Sequence, residues 1–309
     1  MHTYGGRGAR APHLSVGLLH LQAVLGYLAE IGVSMYRISP DLVPQVDDPL
    51  LVAHDLAHCA EECARVAAWV RAKDLRLSFH APATVALASA TPEVQRRSQL
   101  VVESLALVLD ALGADENGVI VVHLGGAVGG LDAALGRWLT AWEGLPVAAQ
   151  RRVVLEHDPL LSVGAALRLH AATGVPIVFD HLHWLLHNPE ALALPDALGA
   201  VLATWPRQRT PKVHWASPRT ELRAVARPAG AGQRRRWLLS PPRLGQHSDF
   251  AHPWEFIRFV EAAATLRPFD VMLEAKASDL ALLRLRDDLH RYAPTLIHRW
   301  TQMDTDGAG

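Results

Sequence analysis

Short apolar, β-branched runs alternate with longer stretches of helical periodicity along most of the chain. The runs at 34–39 (SMYRIS), 75–80 (LRLSFH), 118–123 (GVIVVH), 152–157 (RVVLEH), 175–180 (VPIVFD), 211–216 (PKVHWA) and 269–275 (FDVMLEA) have the length and content of buried strands. Between them, segments such as LLHLQAVLGYLAEIG, SQLVVESLALVLDALG and PWEFIRFVEAAATL space apolar residues three and four apart, as one helix face requires. Strand, helix, strand repeated in this order means parallel βαβ units. The predicted fold is therefore a TIM-type (β/α)8 barrel. Seven strands are visible where eight are needed, and the chain opens on a helix from about Ser15. The first strand is expected to be missing, with residues 1–12 (MHTYGGRGARAP) a poor substitute. No internal repeat or low-complexity linker divides the chain, so residues 1–309 are expected to form one domain.

One connection breaks the rhythm. Residues 217–246, between the seventh and eighth barrel strands, carry Arg219, Arg223, Arg227, Arg234, Arg235, Arg236 and Arg243 against a single acid, Glu221, with Trp237 among them. A stretch this long reads as an irregular insertion, either a solvated excursion or a surface for DNA phosphates. On the second reading Arg219, Arg234, Arg235 and Arg236 would touch the backbone of DNA. Arg37, at the end of an earlier strand, would contact a phosphate or pair with a carboxylate.

Composition narrows the class. The chain is 50% hydrophobic and 20% charged, with a formal net charge of −1, so no global basic field draws it to nucleic acid. No apolar run approaches the roughly 18 residues of a membrane span, and the start lacks the apolar region of a secretory signal. A cytoplasmic protein without a membrane partner is expected. The two cysteines, Cys59 and Cys63, lie four apart in DLAHCAEECARVAAWV, which reads as one amphipathic helix with reduced thiols rather than a metal group with His58.

Histidine changes the picture, because the chain has 17. His80, His123, Glu156, Asp180, His214 and Glu274 each follow or close an apolar strand run. A lone strand-terminal histidine is usually a satisfied polar residue, but six such groups at the C-terminal ends of barrel strands would face one bowl. Mixed nitrogen and oxygen donors suit Zn2+ or Mn2+. With His183 and His247 one step outside, the supply exceeds one ion's needs, so two or three ions sharing a carboxylate are expected, an arrangement suited to phosphodiester chemistry. His157, His181, His187 and His252 read as supporting or surface residues, and Trp184, Trp205, Trp215, Trp237 and Trp254 as near loops, one or two able to stack on a base. The glycines of HLGGAVGG (Gly125, Gly126, Gly129, Gly130) lack the Rossmann spacing and the P-loop lysine, which excludes a nucleotide cofactor and suggests a turn that DNA can approach.

The chain resembles the UV damage endonuclease family in MYRISPDLVP (35–44), LRLSFH (75–80), VVHLGGAVGG (121–130), VVLEHD (153–158), VPIVFDHLHW (175–184), PKVHWAS (211–217), HSDF (247–250) and FDVMLEAKASDLALL (269–283). The likeness runs from about residue 31 to 285. It implies a monomer holding up to three divalent ions, typically Mn2+ with Zn2+, Co2+ or Mg2+ as alternatives, that nicks double-stranded DNA 5′ of pyrimidine dimers, 6-4 photoproducts and abasic sites. It further implies that His80, His123 and a bridging Glu156 hold one ion; Glu156, Asp180, His214 and Glu274 a second; His183 and His247 a third. Lys212 matches a lysine beside the metals that is found carboxylated, and catalysis would fall to Lys212, Glu156 and Glu274. Two departures stand out. Ala83 and Thr84 occupy the places of a glutamine and an aromatic residue that probe the damaged duplex, and Asp48 stands as a candidate oxygen ligand near the place of a family histidine. An abasic-site endonuclease, a sugar-isomerase barrel and a non-catalytic damaged-DNA-binding remnant are the rival readings.

Overall fold

The computed structural model describes residues 13–227 and 236–296. In chain order its strands are β1 (Met35–Ile38), β2 (Arg76–His80), β3 (Val119–Val122), β4 (Val153–Glu156), β5 (Ile177–Asp180), β6 (Lys212–Trp215), β7 (Pro218–Arg219), β8 (Arg223–Arg227), β9 (Arg236–Ser240), β10 (Arg243–His247) and β11 (Asp270–Leu273). Its helices are α1 (Leu14–Glu30), α2 (Pro49–His58), α3 (Ala60–Ala72), α4 (Pro92–Ala111), α5 (Leu131–Glu143), α6 (Val147–Gln150), α7 (Val163–Thr173), α8 (His181–Leu186), α9 (Leu194–Leu202), α10 (Pro253–Ala262) and α11 (Asp279–Tyr292).

Each of the seven expected runs is a strand, one to three residues shorter than its apolar stretch because the end residues turn into the adjoining loops. Among the described residues these strands pair in parallel in the order β1-β2-β3-β4-β5-β6-β11, the sequential order of a TIM-type barrel. β3, β4, β5 and β6 are buried at every position. Parallel strands covered on both faces need such unbroken apolar runs, which is why the pattern was readable. The expectation for residues 1–12 lies outside the described residues.

Two compact units divide the chain, one running to Val178 and including Ala203–Thr210, the other comprising Phe179–Leu202 and the residues from Pro211 onward. In the first unit, Val119, Val121, Val154 and Val178 pack with Trp205. The Trp205 indole donates to the Ile177 carbonyl at 2.6 Å, so this tryptophan, carried on a loop as expected, packs its side chain into the core. In the second unit, Trp215 is fully buried, stacked on the His181 ring and edge-on to Phe256. Burial among these rings pushes the His181 imidazole down to about 4. His181, and His157 in the first unit, are thus interior residues rather than surface ones.

Two further expectations are corrected. The cysteine segment is two helices, α2 and α3, hinged at Cys59, whose φ of −103° and ψ of 25° close one and open the other. Both thiols are buried, and burial pushes Cys63 up to about 11. The Arg-rich connection is not irregular. β7 pairs antiparallel with β10, and β8 with β9, so the insertion is built of two-stranded ladders. Arg234 and Arg235 lie outside the described residues, as does the side chain of Arg236.

Gly125 has φ +81°, and a Cβ there would stand 2.3 Å from the Ala86 Cα. Close packing against the 81–88 segment demands this glycine. Gly125→Ala is expected to lower stability by about 1–3 kcal/mol through the strained backbone and the overlap. Thermal melts of the two proteins check this, and coincident curves would refute it.

Candidate metal centre

In the first unit the chemistry gathers where β2, β3 and β4 end. His80 and Glu156 are the last residues of β2 and β4, and His123 directly follows β3. The Glu156 carboxylate, 1% exposed, has one oxygen 3.1 Å from His80 Nε2 and 3.6 Å from His123 Nε2. The other ring nitrogens decide what those contacts are. His80 Nδ1 lies 3.1 Å from the Ala81 carbonyl and His123 Nδ1 3.1 Å from Asp158 Oδ2, both acceptors, so each Nδ1 carries the proton. Each Nε2 is thereby aimed at the same Glu156 carboxylate oxygen, a convergence of nitrogen and oxygen donor atoms that a cation between them would satisfy.

Asp158 was not foreseen as a site residue. Its Oδ1 accepts from Leu160 N at 2.7 Å and Leu161 N at 3.0 Å, which holds Oδ2 against His123. It stands two residues beyond the end of β4, where strand alternation no longer marks a residue, and only the local turn at Leu160–Leu161 sets its direction.

The second unit holds a matching group. Asp180 ends β5 and is in register with His214 on β6, which is in register with Met272 two residues before Glu274. Asp180, His214 and Glu274 offer ligand atoms within 4.8 Å of one another. The Glu274 oxygens are shared out: Oε1 lies 3.6 Å from His214 Nδ1 and Oε2 3.4 Å from His247 Nε2. Asp180 Oδ1 caps α8 by accepting from His183 N at 2.7 Å and stands 3.7 Å from His183 Nδ1.

Most of these separations are long for hydrogen bonds. Donor atoms about 2.0–2.2 Å from one ion lie about 2.8–3.6 Å apart in octahedral or tetrahedral arrangement, so spacing and donor chemistry both fit divalent cations. The remaining candidates fall elsewhere. Asp48 is exposed and caps α2, its Oδ1 accepting from Leu51 N at 3.1 Å, and it joins neither group of potential ligands among the described residues. Arg219 is 1% exposed and donates to the Glu221 and Pro241 carbonyls at 3.1 and 3.0 Å, which turns it away from any DNA surface. Lys212 is buried at the start of β6, its ammonium 3.5 Å from Asp270 and its side chain on the same strand face as His214. Ala83 and Thr84 are exposed, and Arg37 is half-buried. Among the described residues no helix is long and apolar enough to cross a membrane.

The family model described as UV-endonuclease UvdE matches residues 14–301. A UV DNA damage endonuclease from Bacillus velezensis is 29% identical over 269 residues, spanning 85% of this chain and 77% of that protein. The crystal structure of SacUVDE is similar with a TM-score of 0.76 at 24% identity, covering 94% of this chain and 92% of that one. Endonuclease IV from Thermus thermophilus has a TM-score of 0.54 at 15% identity, covering 87% of this chain and 94% of that one. At those identities the structural likeness speaks for the barrel fold.

Proposed function

Because the chain belongs to the UV-endonuclease UvdE family, we propose that it is a DNA repair endonuclease that nicks double-stranded DNA immediately 5′ of pyrimidine dimers, 6-4 photoproducts and abasic sites. The observation that carries this reading is the convergence of His80 Nε2 and His123 Nε2 on one oxygen of the buried Glu156 carboxylate. Such a donor set suits a divalent cation; mixed imidazole and carboxylate donors accept Zn2+, Co2+ or Mg2+ as well as Mn2+, and the family resemblance points to Mn2+. His80, His123 and Glu156 would hold one ion, Asp180, His214 and Glu274 a second, and His183 and His247 a third. Ions there would activate water at neutral pH and offset charge on the attacked phosphate and the leaving oxygen.

The chain's own residues prepare that chemistry. Asp158 and the Ala81 carbonyl fix the tautomers of His123 and His80, so that Nε2 of each is the donor atom. Glu274 holds two imidazoles in place at once. Lys212, buried with its Nζ 3.5 Å from Asp270, ties the start of β6, which carries His214, to the start of β11, which leads to Glu274. The reading treats residues 1–309 as one catalytic domain acting as a monomer.

One observation favours a second reading. Small side chains at Ala83 and Thr84 offer no aromatic surface, which suits an enzyme that nicks abasic sites and leaves dimers alone. End-labelled duplexes carrying one cyclobutane dimer, one abasic site or no lesion separate the two when incubated with the protein and Mn2+. Cutting 5′ of both lesions is expected. Cutting at the abasic site alone would establish the narrower activity, and no cutting of any duplex would reject both.

A further inference from the structure

The hairpin of β8 and β9 carries an apolar face that nothing in the second unit's core uses. Opposed pairs of an antiparallel ladder share a face, and here Ala226 opposes Trp237 while Ala224 opposes Leu239. Small residues on one strand leave the large ones on the other standing proud. Trp237 is 66% and Leu239 72% exposed. Large apolar side chains side by side in water are a mark of a binding surface.

The hairpin is tied to the metal-ligand segment. Glu221, just before β8, accepts a hydrogen bond from Ser248, and Arg223 pairs with Asp249. Ser248 and Asp249 directly follow His247, which lies 3.4 Å from Glu274. β10, which ends in His247, is paired with β7, and Ser248 N also bonds to the Ser217 carbonyl at 3.0 Å. Trp237 is ten residues from His247. A fully extended chain of that length reaches at most about 35 Å, roughly ten base pairs of duplex.

Charge selects the occupant. Residues 217–246 carry seven arginines against Glu221 alone, so a second copy of the same hairpin would meet like charge, whereas a polyphosphate would be attracted. A ribbon that presents an indole within such a segment has the elements of a base-stacking platform. We propose that the Trp237–Leu239 face of this hairpin stacks on a base left unstacked at a lesion in duplex DNA, making Trp237 a specificity-determining residue. This inference rests on the DNA-nicking reading above.

The test compares wild type with Trp237→Ala and Trp237→Phe by fluorescence anisotropy on a 30-base-pair duplex carrying one cyclobutane dimer and on its undamaged twin. Trp237→Ala is expected to bind the dimer duplex about 5- to 150-fold more weakly, with a change of less than about twofold on the undamaged twin. Trp237→Phe should bind like wild type. Trp237 is exposed, so the melting temperature should not move, and a melt of each variant verifies folding. Unchanged binding by Trp237→Ala, an equal loss on both duplexes, or a self-association in sedimentation that Trp237→Ala abolishes would each overturn the proposal. Failure of wild type to nick any duplex speaks against the nicking reading alone, because the binding comparison stands without turnover.

Discussion

Glu274→Ala and His214→Ala are each expected to lower nicking of a lesion-bearing duplex by roughly a thousandfold, equivalent to about 4 kcal/mol of transition-state stabilisation. Glu274 Oε1 and Oε2 face His214 and His247, so loss of this one carboxylate leaves two imidazoles without their shared anion. Neither side chain supports the core, which in the second unit is built of Trp215, Phe256 and Phe259. Without added ion, both variants should therefore melt within a few degrees of wild type. With Mn2+ present, wild type should gain stability that the variants do not, since a ligand at one hundred times its dissociation constant adds about 2.7 kcal/mol. Single-turnover nicking and paired melts with and without Mn2+ make the measurement. A rate near wild type for either variant would show that the ligand assignment is wrong.

Exhaustive chelation should abolish nicking, and re-addition of Mn2+ should restore it. The same experiment should lower the melting temperature, because three carboxylates, Glu156, Asp180 and Glu274, lie buried beside histidine nitrogens that carry no compensating charge unless protonated or bound to a cation. Metal analysis of Mn2+-saturated protein after removal of free ion should return two or more ions per chain. Six strand-end donors, with His183 and His247 beside them, exceed what one ion accepts. One ion or none per chain would refute the expectation of more than one ion, and full activity after chelation would refute the metal-based reading.

The legible parts of this fold share a physical cause. Strands buried on both faces are mostly apolar, so VIVV, VVL and IVF stand out without any structure, and KVHW is the run in which two polar residues, Lys212 and His214, are buried within the strand. A histidine or carboxylate closing such a run marks the strand's C-terminal end, which is where His80, Glu156 and Asp180 are found. Asp158 escaped notice because orienting a neighbouring imidazole leaves no periodic trace.

The sequence alone therefore determined the alternation of strand and helix, the parallel order and the set of strand-end donors, because burial imposes those patterns locally. Tertiary structure decided which polar groups turn inward. Arg219 reads like its six arginine neighbours, yet its guanidinium is folded onto two backbone carbonyls, and only the pairing of β7 with β10 places those carbonyls within reach. Asp48 reads like a ligand, but in the structure it stands at the start of α2, where its Oδ1 caps the Leu51 amide, and it joins neither group of potential ligands among the described residues. The Arg-rich connection reads as irregular because its strands bury neither face. Its regularity comes from cross-strand hydrogen bonds, and those depend on which segment lies opposite, a fact no single stretch of sequence contains.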